Sequence, residues 1–140
     1  MTQRTGECLC GAIKVTLLDD PLVARTCWCR LCQYIGSGNA TVNGIFKKSD
    51  VKVSGNVKSF AVMPDSGFLK HHLFCPECGT QIGGTTTRTD EIFIVRLGIL
   101  DEPDIVPEAT IWTSTAPNWA CISDNIPRMS EGAPAPQSKS

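Results

Sequence analysis

The cysteines of this 140-residue chain are grouped rather than scattered. They stand at 8, 10, 27, 29, 32, 75, 78 and 121, so seven of the eight fall into three clusters with the spacings C-x-C, C-x-C-x-x-C and C-x-x-C. Such crowding constrains the fold more than any other feature, because thiolates this close are most readily accommodated on a shared metal ion. Disulfides are a poor alternative. Cysteines at C-x-C spacing make strained partners, and a content of about 6% lies below the ~8–10% of disulfide scaffolds. A redox C-x-x-C pair usually opens a helix, whereas Cys75-Pro76-Glu77-Cys78-Gly79 follows a strand-like run and leads into Gly-rich sequence.

Cys75-Pro76-Glu77-Cys78-Gly79 has the character of a zinc knuckle: Pro76 limits the turn and Gly79 lets backbone amides approach the thiolates. A structural zinc takes four ligands, and Cys8-Leu9-Cys10-Gly11 offers a matching pair with the same permissive glycine. The site so formed would close a loop of roughly 65 residues, a large restriction on the unfolded chain. Cys27, Cys29 and Cys32 then remain as three close thiolates, the ligand count of a catalytic zinc with an open fourth position. The alternatives for that position are Cys121, which would make the second site closed and structural, or one of His71 and His72. Adjacent residues in a strand face opposite ways, so at most one of these histidines can point at a given site.

Charge and hydropathy narrow the classes of partner. Lys plus Arg is 13 against 14 Asp plus Glu, so no long-range field draws a phosphate backbone, and Lys47-Lys48 reads as a solvated turn; no nucleic acid is expected. No apolar run approaches ~18 residues, since Ile92-Phe93-Ile94-Val95 is cut off by Arg96, and no membrane span is expected. The segment Met1–Glu7 has no apolar centre of the kind a secretory signal needs, which points to a cytoplasmic location.

Ile13, Val15 and Leu17 alternate with Lys14 and Thr16 ahead of Asp19-Asp20-Pro21, predicting a strand and a turn. A short strand at Val23–Thr26 should lead the second cluster into one helical turn at Arg30–Tyr34, stopped by Gly36-Ser37-Gly38. Further strands are expected at Asn39–Val42, Val51–Ser54, Lys58–Val62, Phe68–Phe74, Glu91–Leu97 and Ala109–Trp112. The pattern predicts a mainly β fold with little helix, made of small antiparallel sheets stapled by zinc rather than one wide layer. Residues 1–127 are expected to form a single zinc-binding β domain. Residues 128–140 are expected to form a flexible C-terminal tail, Pro/Ser-rich from Gly132 onward.

Taken in order, Gly6-x-Cys8-x-Cys10-Gly11, Cys27-x-Cys29-x-x-Cys32 and Phe74-Cys75-x-x-Cys78-Gly79-Thr80 resemble the glutathione-dependent formaldehyde-activating family, which includes centromere protein V. Ile111-Trp112-Thr113-Ser114, Ala116-Pro117-Asn118-Trp119 and Asp124-Asn125-Ile126-Pro127 extend the likeness. The resemblance implies several small coiled β-sheets holding two zinc ions, a structural one on Cys8, Cys10, Cys75 and Cys78 and a more labile one on Cys27, Cys29 and Cys32. It implies condensation of glutathione with formaldehyde to S-hydroxymethylglutathione, or a related carbon–sulfur lyase reaction. Trp28 and Thr110 stand where many members carry histidine, which points to a pocket of different shape.

The functional expectation is a zinc-dependent carbon–sulfur lyase or synthase acting on a small thiol, glutathione, with Cys27, Cys29 and Cys32 as the catalytic set. Arg30 or the Gly36-Ser37-Gly38 amides are the nearest candidates for holding the carboxylates of glutathione. The competing reading is a non-catalytic binding module with two structural zincs. A redox sensor that loses zinc from the second cluster is a third.

Overall fold

The alternation at Val15 and Leu17 buries both side chains almost completely, and it does so at the centre of a small sheet. The computed structural model describes residues 2–64, 66–134 and 136. Strands β1 (Arg4–Glu7), β2 (Lys14–Leu17) and β5 (Val51–Ser54) form that sheet in the order β1-β2-β5, antiparallel throughout. The second sheet contains β3 (Val23–Cys27), β4 (Thr41–Lys47), β6 (Lys58–Val62), β7 (Lys70–Phe74), β8 (Gln81–Thr86), β9 (Thr89–Arg96) and β10 (Ala109–Ile111). Its order is β10-β3-β4-β9-β8-β7-β6. The α-helix among the described residues, α1 (Arg30–Ile35), follows β3 directly.

Core residues come from both sheets: Val15 and Leu17 from β2 and Phe46, Ile82, Phe93 and Val95 from β4, β8 and β9, with Ile13 and Ile99 alongside. Burying each of these side chains contributes about 1.5–3 kcal/mol, so this contact between the sheets is the main apolar support of the fold. Strand parity then assigns the other face of the large sheet. Phe93 and Val95 point into the core, so Ile94 and Arg96 point away from it. Register places Asn43 opposite Arg96 and Thr41 opposite Cys27, all on that second face. His72 joins them, lying opposite Gly84, which in turn lies opposite Ile94.

The expected fold class is the observed one, mainly β in more than one sheet with little helix. Three details differ. One sheet is seven strands wide, and its β10–β3 pair is parallel rather than antiparallel. Strands β1 and β8 were not anticipated, because β1 is short and polar and β8 carries Gly83-Gly84 where side chains would normally reveal a strand. A Cβ on Gly83 would stand 1.9 Å from the Ile94 carbonyl oxygen, so this close approach of strands requires glycine.

The segment expected to start the tail is also hydrogen-bonded to the domain. The Met129 amide donates to the Thr110 carbonyl at 2.9 Å and the Trp112 amide to that of Glu131 at 3.0 Å, so residues 128–131 run beside β10. Of the remaining expected tail, residues 135 and 137–140 lie outside the described residues.

Candidate metal centres and active site

Two turns of matching design build the first cluster. In one, Gly11 takes φ +81° and its amide donates to the Cys8 carbonyl at 3.0 Å, while the Ile13 amide donates to Cys8 Sγ at 3.2 Å. In the other, Gly79 takes φ +77° and its amide donates to the Cys75 carbonyl at 2.8 Å. Thr80 joins the two turns: its hydroxyl lies 3.2 Å from Cys78 Sγ and accepts from the Leu9 amide at 3.1 Å. The Thr80 hydroxyl and amide hold the Cys78 thiol down, to about 5.

Cys8, Cys10, Cys75 and Cys78 bring their sulfurs within 4.8 Å of one another. Cys8 and Cys10 are 3.6 Å apart and Cys10 and Cys75 3.8 Å. A tetrahedral zinc with bonds of about 2.3 Å places its sulfurs about 3.8 Å apart, so the donor set and spacing fit that ion. All eight cysteines are free of disulfides.

The second cluster forms where β3 passes into α1. Cys27 ends the strand, Cys29 caps the helix and Cys32 lies within its first turn; their sulfurs also fall within 4.8 Å of one another, and all three residues are buried. The Cys32 amide donates to Cys29 Sγ at 3.2 Å. Gln33, itself buried, fixes the intervening loop by donating to the carbonyls of Trp28 at 2.8 Å and Thr115 at 2.9 Å. Ser37 and Trp112, at φ 57° and 59°, are the non-glycine residues with left-handed backbone among the described ones, and they lie just beyond α1 and β10. Such conformations cost about 1–3 kcal/mol each and persist where surrounding contacts enforce them.

A polar row on the sheet faces these sulfurs. Arg96 Nη1 donates to Asn43 Oδ1 at 2.5 Å, and Asn43 Nδ2 donates to Thr41 Oγ1 at 2.9 Å. Arg96 Nη2 donates to His72 Nδ1 at 3.1 Å. No carboxylate pairs with Arg96 among the described residues; the charge that supports it comes from the cysteine cluster, Cys32 first. Hydrogen bonds from Cys27 and Cys29, and then the Thr41 hydroxyl and the Arg96 charge, hold the Cys32 thiol down to about 2 despite burial, while the contacts with Cys29 and Cys32 push Cys27 up. A shielded guanidinium without a carboxylate is costly unless an anion stands nearby, so this row is matched to a thiolate cluster and to a soft metal ion held by it.

Two hollows border the three cysteines. A cavity of about 50 Å³ is lined by Cys27, Cys32, His72, Gly84, Ile94 and Arg96, among others. An open groove of about 220 Å³ is lined by Cys29, Arg30, Leu31, Tyr34, Met63 and Pro64. A larger hollow, about 600 Å³, lies elsewhere beside Lys47, Lys48, Asp90 and Glu91 and is lined by no cysteine.

The structure brings together all seven clustered cysteines and keeps the alternatives apart from them. Cys121 is exposed and lines a different groove with Trp28 and Thr110, so it does not complete the second cluster. His71 and His72 do face opposite ways, and neither joins a sulfur group. The Gly36 and Gly38 amides are spent on the Cys32 and Gln33 carbonyls, closing α1, which removes them as carboxylate donors. Arg30 borders the groove at Cys29, stacked 5.2 Å over Tyr34 and donating to Gln33 Oε1 at 2.7 Å. Arg96, Asn43 and Thr41 were not foreseen; the signal available was Arg96 itself, a cation ending the apolar run Ile92-Phe93-Ile94-Val95.

Fold and site together define a mainly β protein with one four-thiolate and one three-thiolate cluster, each able to hold a metal ion. The glutathione-dependent formaldehyde-activating enzyme family matches over residues 3–115, and the chain belongs to it. Among solved structures, a crystal structure of a Rhodobacter sphaeroides protein from a structural genomics programme is similar in fold. It shares 22% identity, with a TM-score of 0.57, over 89% of this chain and 98% of that one. No curated protein sequence gives a significant match. No helix among the described residues is long and apolar enough to cross a membrane.

Proposed function

We propose that this chain is a zinc-dependent carbon–sulfur lyase or synthase that forms or breaks a glutathione adduct, S-hydroxymethylglutathione from glutathione and formaldehyde. The observation that carries the reading is the second cluster: three buried cysteines, no fourth protein ligand within reach among the described residues, and two hollows lined by them. Membership of the family supplies the substrate class. In this reading Cys8, Cys10, Cys75 and Cys78 hold a structural zinc, and Cys27, Cys29 and Cys32 hold the catalytic one. A zinc ion there would supply a Lewis-acid position that favours a substrate sulfur as thiolate.

The chain's own residues do the rest. The groove at Cys29 admits the tripeptide from solvent, with Arg30 as the cation nearest to its carboxylates. Gln33 and Thr115 lock the loop that carries Cys27 and Cys29, fixing the direction from which a sulfur can approach. The exposure of Cys121 away from this site weighs against the alternative of two closed structural zincs and a partner-binding surface.

The test is glutathione binding by calorimetry to the zinc-loaded protein, together with the rate of adduct formation above the spontaneous reaction. Binding and acceleration in the wild type, both lost in Cys29→Ser while one zinc per chain remains, is the expected result. A wild type carrying two zincs that neither binds glutathione nor speeds the reaction would return the protein to the binding-module reading.

A further inference from the structure

Three cations away from the cysteine clusters share one hollow and have no carboxylate to pair with. Arg25 stands two residues before Cys27 on β3 and Lys70 two before His72 on β7, so strand parity puts both on the face of the large sheet that carries the second cluster. Arg88 stands in the exposed turn between β8 and β9. The sheet curls enough for all three side chains to line a hollow of about 110 Å³, and no Asp or Glu is among its lining residues. None of the three forms an ion pair among the described residues. Burial, and then the charge of Arg88, work against the Arg25 cation, while Glu108 supports it without pairing with it. The larger hollow beside Lys47 and Lys48 is the contrast, because Asp90 and Glu91 line it too and balance its charge.

The partners these guanidiniums do have are neutral. Arg25 Nη2 donates to the Pro134 carbonyl at 3.2 Å and Arg88 Nη1 to the Ala133 carbonyl at 3.3 Å, so consecutive carbonyls of one segment hold the two side chains as neighbours. Arg88 also lies over the Phe68 ring, 5.6 Å from its centre, which fixes the guanidinium by its face and leaves its edge to donate. A guanidinium has five N–H donors, and each of these spends one on the described protein. A carbonyl dipole offsets only part of a positive charge, so what the site lacks is a negative group with several acceptor oxygens.

The geometry points to an anion site: we propose that Arg25 and Arg88 hold the carboxylate or phosphate group of a small ligand in this hollow, with Lys70 adding a third charge. The volume suits one such group, and Ile94, Ile111 and Trp112 offer an apolar wall to whatever short body it is attached to. The site goes beyond the thiol reading, since it uses none of the seven clustered cysteines and stands whether or not the chain acts on glutathione. It shares Lys70, Ile94 and Ile111 with the small cavity at Cys27 and Cys32, so an anion held there lies next to the second cluster.

Calorimetric titration of the zinc-loaded full chain with sodium phosphate and with sodium acetate, against sodium chloride at equal ionic strength, tests this. Saturable binding of one phosphate or acetate per chain, not reproduced by chloride, is the expected result. Arg25→Gln should weaken it about tenfold or more, and so should Arg88→Gln, whose exposed turn lets the fold persist; Lys47→Gln, at the charge-balanced hollow, should leave it unchanged. Repeating the phosphate titration with saturating glutathione separates the sources of the anion. Unchanged affinity identifies a free small anion, and competition identifies a carboxylate carried by the thiol. No saturable binding of either anion, or binding that Arg88→Gln lowers no more than Lys47→Gln does, would overturn the inference.

Discussion

Cys8, Cys10, Cys75 and Cys78 gather four sulfurs where Cys10 is exposed and Cys78 half-buried, whereas Cys27, Cys29 and Cys32 gather three where every residue is buried. Charge accounts for the contrast. A zinc ion with four thiolates carries a net charge of about -2, and that site relies on water, the Ile13 amide and the Thr80 hydroxyl for solvation. Three thiolates leave about -1, which the Arg96 guanidinium can offset, so the smaller cluster tolerates burial. In the proposed reading, openness to a ligand is set by the count of sulfurs and by what faces them, not by exposure to solvent.

The comparison can be broken most forcefully at the first cluster. Cys75→Ser should abolish cooperative folding or destabilise the protein by about 5 kcal/mol or more, because it frees a long loop and removes metal that contributes to folding. Cys29→Ser should keep a cooperative melt. Thermal unfolding with zinc content measured on both variants checks this, and equal losses would erase the distinction between the sites. Next in size, Arg96→Met should weaken zinc at the second cluster about 10–100-fold and leave the first untouched, as competition with a chromophoric chelator would report. Thr80→Val should do the converse more mildly, weakening the first site about fivefold, since it removes a single hydrogen bond to Cys78.

The smallest effect concerns the hairpin that carries Cys8 and Cys10. Arg4 donates to Asp20 at 2.9 Å and to Asp104 at 3.0 Å, and these hydrogen bonds hold both carboxyls below the usual carboxylate range. A carboxyl whose pKa is depressed on folding stabilises the protein above its unfolded pKa, and the contribution is lost as pH falls through the folded value. Arg4→Gln should therefore flatten the acid side of the stability curve below about pH 4 without altering zinc content near neutrality. An unchanged acid limb would show that the pairs are fully screened.

Much of this was legible in the sequence because the constraint was local. C-x-C and C-x-x-C spacings with a following glycine determine their own turns, and Val51–Ser54 and Lys58–Val62 begin and end where alternation and turn residues place them. Pairings between distant strands were not legible. Asn43 meets Arg96, and His72 meets it from across the sheet, only because of strand register, which no spacing in the chain records. Strand β8 hid for the opposite reason: Gly83 has no side chain to display a period, since the neighbouring strand leaves it no room. The expected carboxylate donors at Gly36 and Gly38 failed because the end of a helix claims those amides first.

The most direct test of the central claim, that one cluster is closed and the other open to a substrate sulfur, is zinc-edge X-ray absorption on the fully loaded protein with and without glutathione. The account predicts an average of about 3.5 sulfurs per zinc with a lighter ligand completing the shell, rising to about 4 when glutathione is added. Four sulfurs per zinc before any thiol is added, or a first shell that glutathione leaves unchanged, would contradict it.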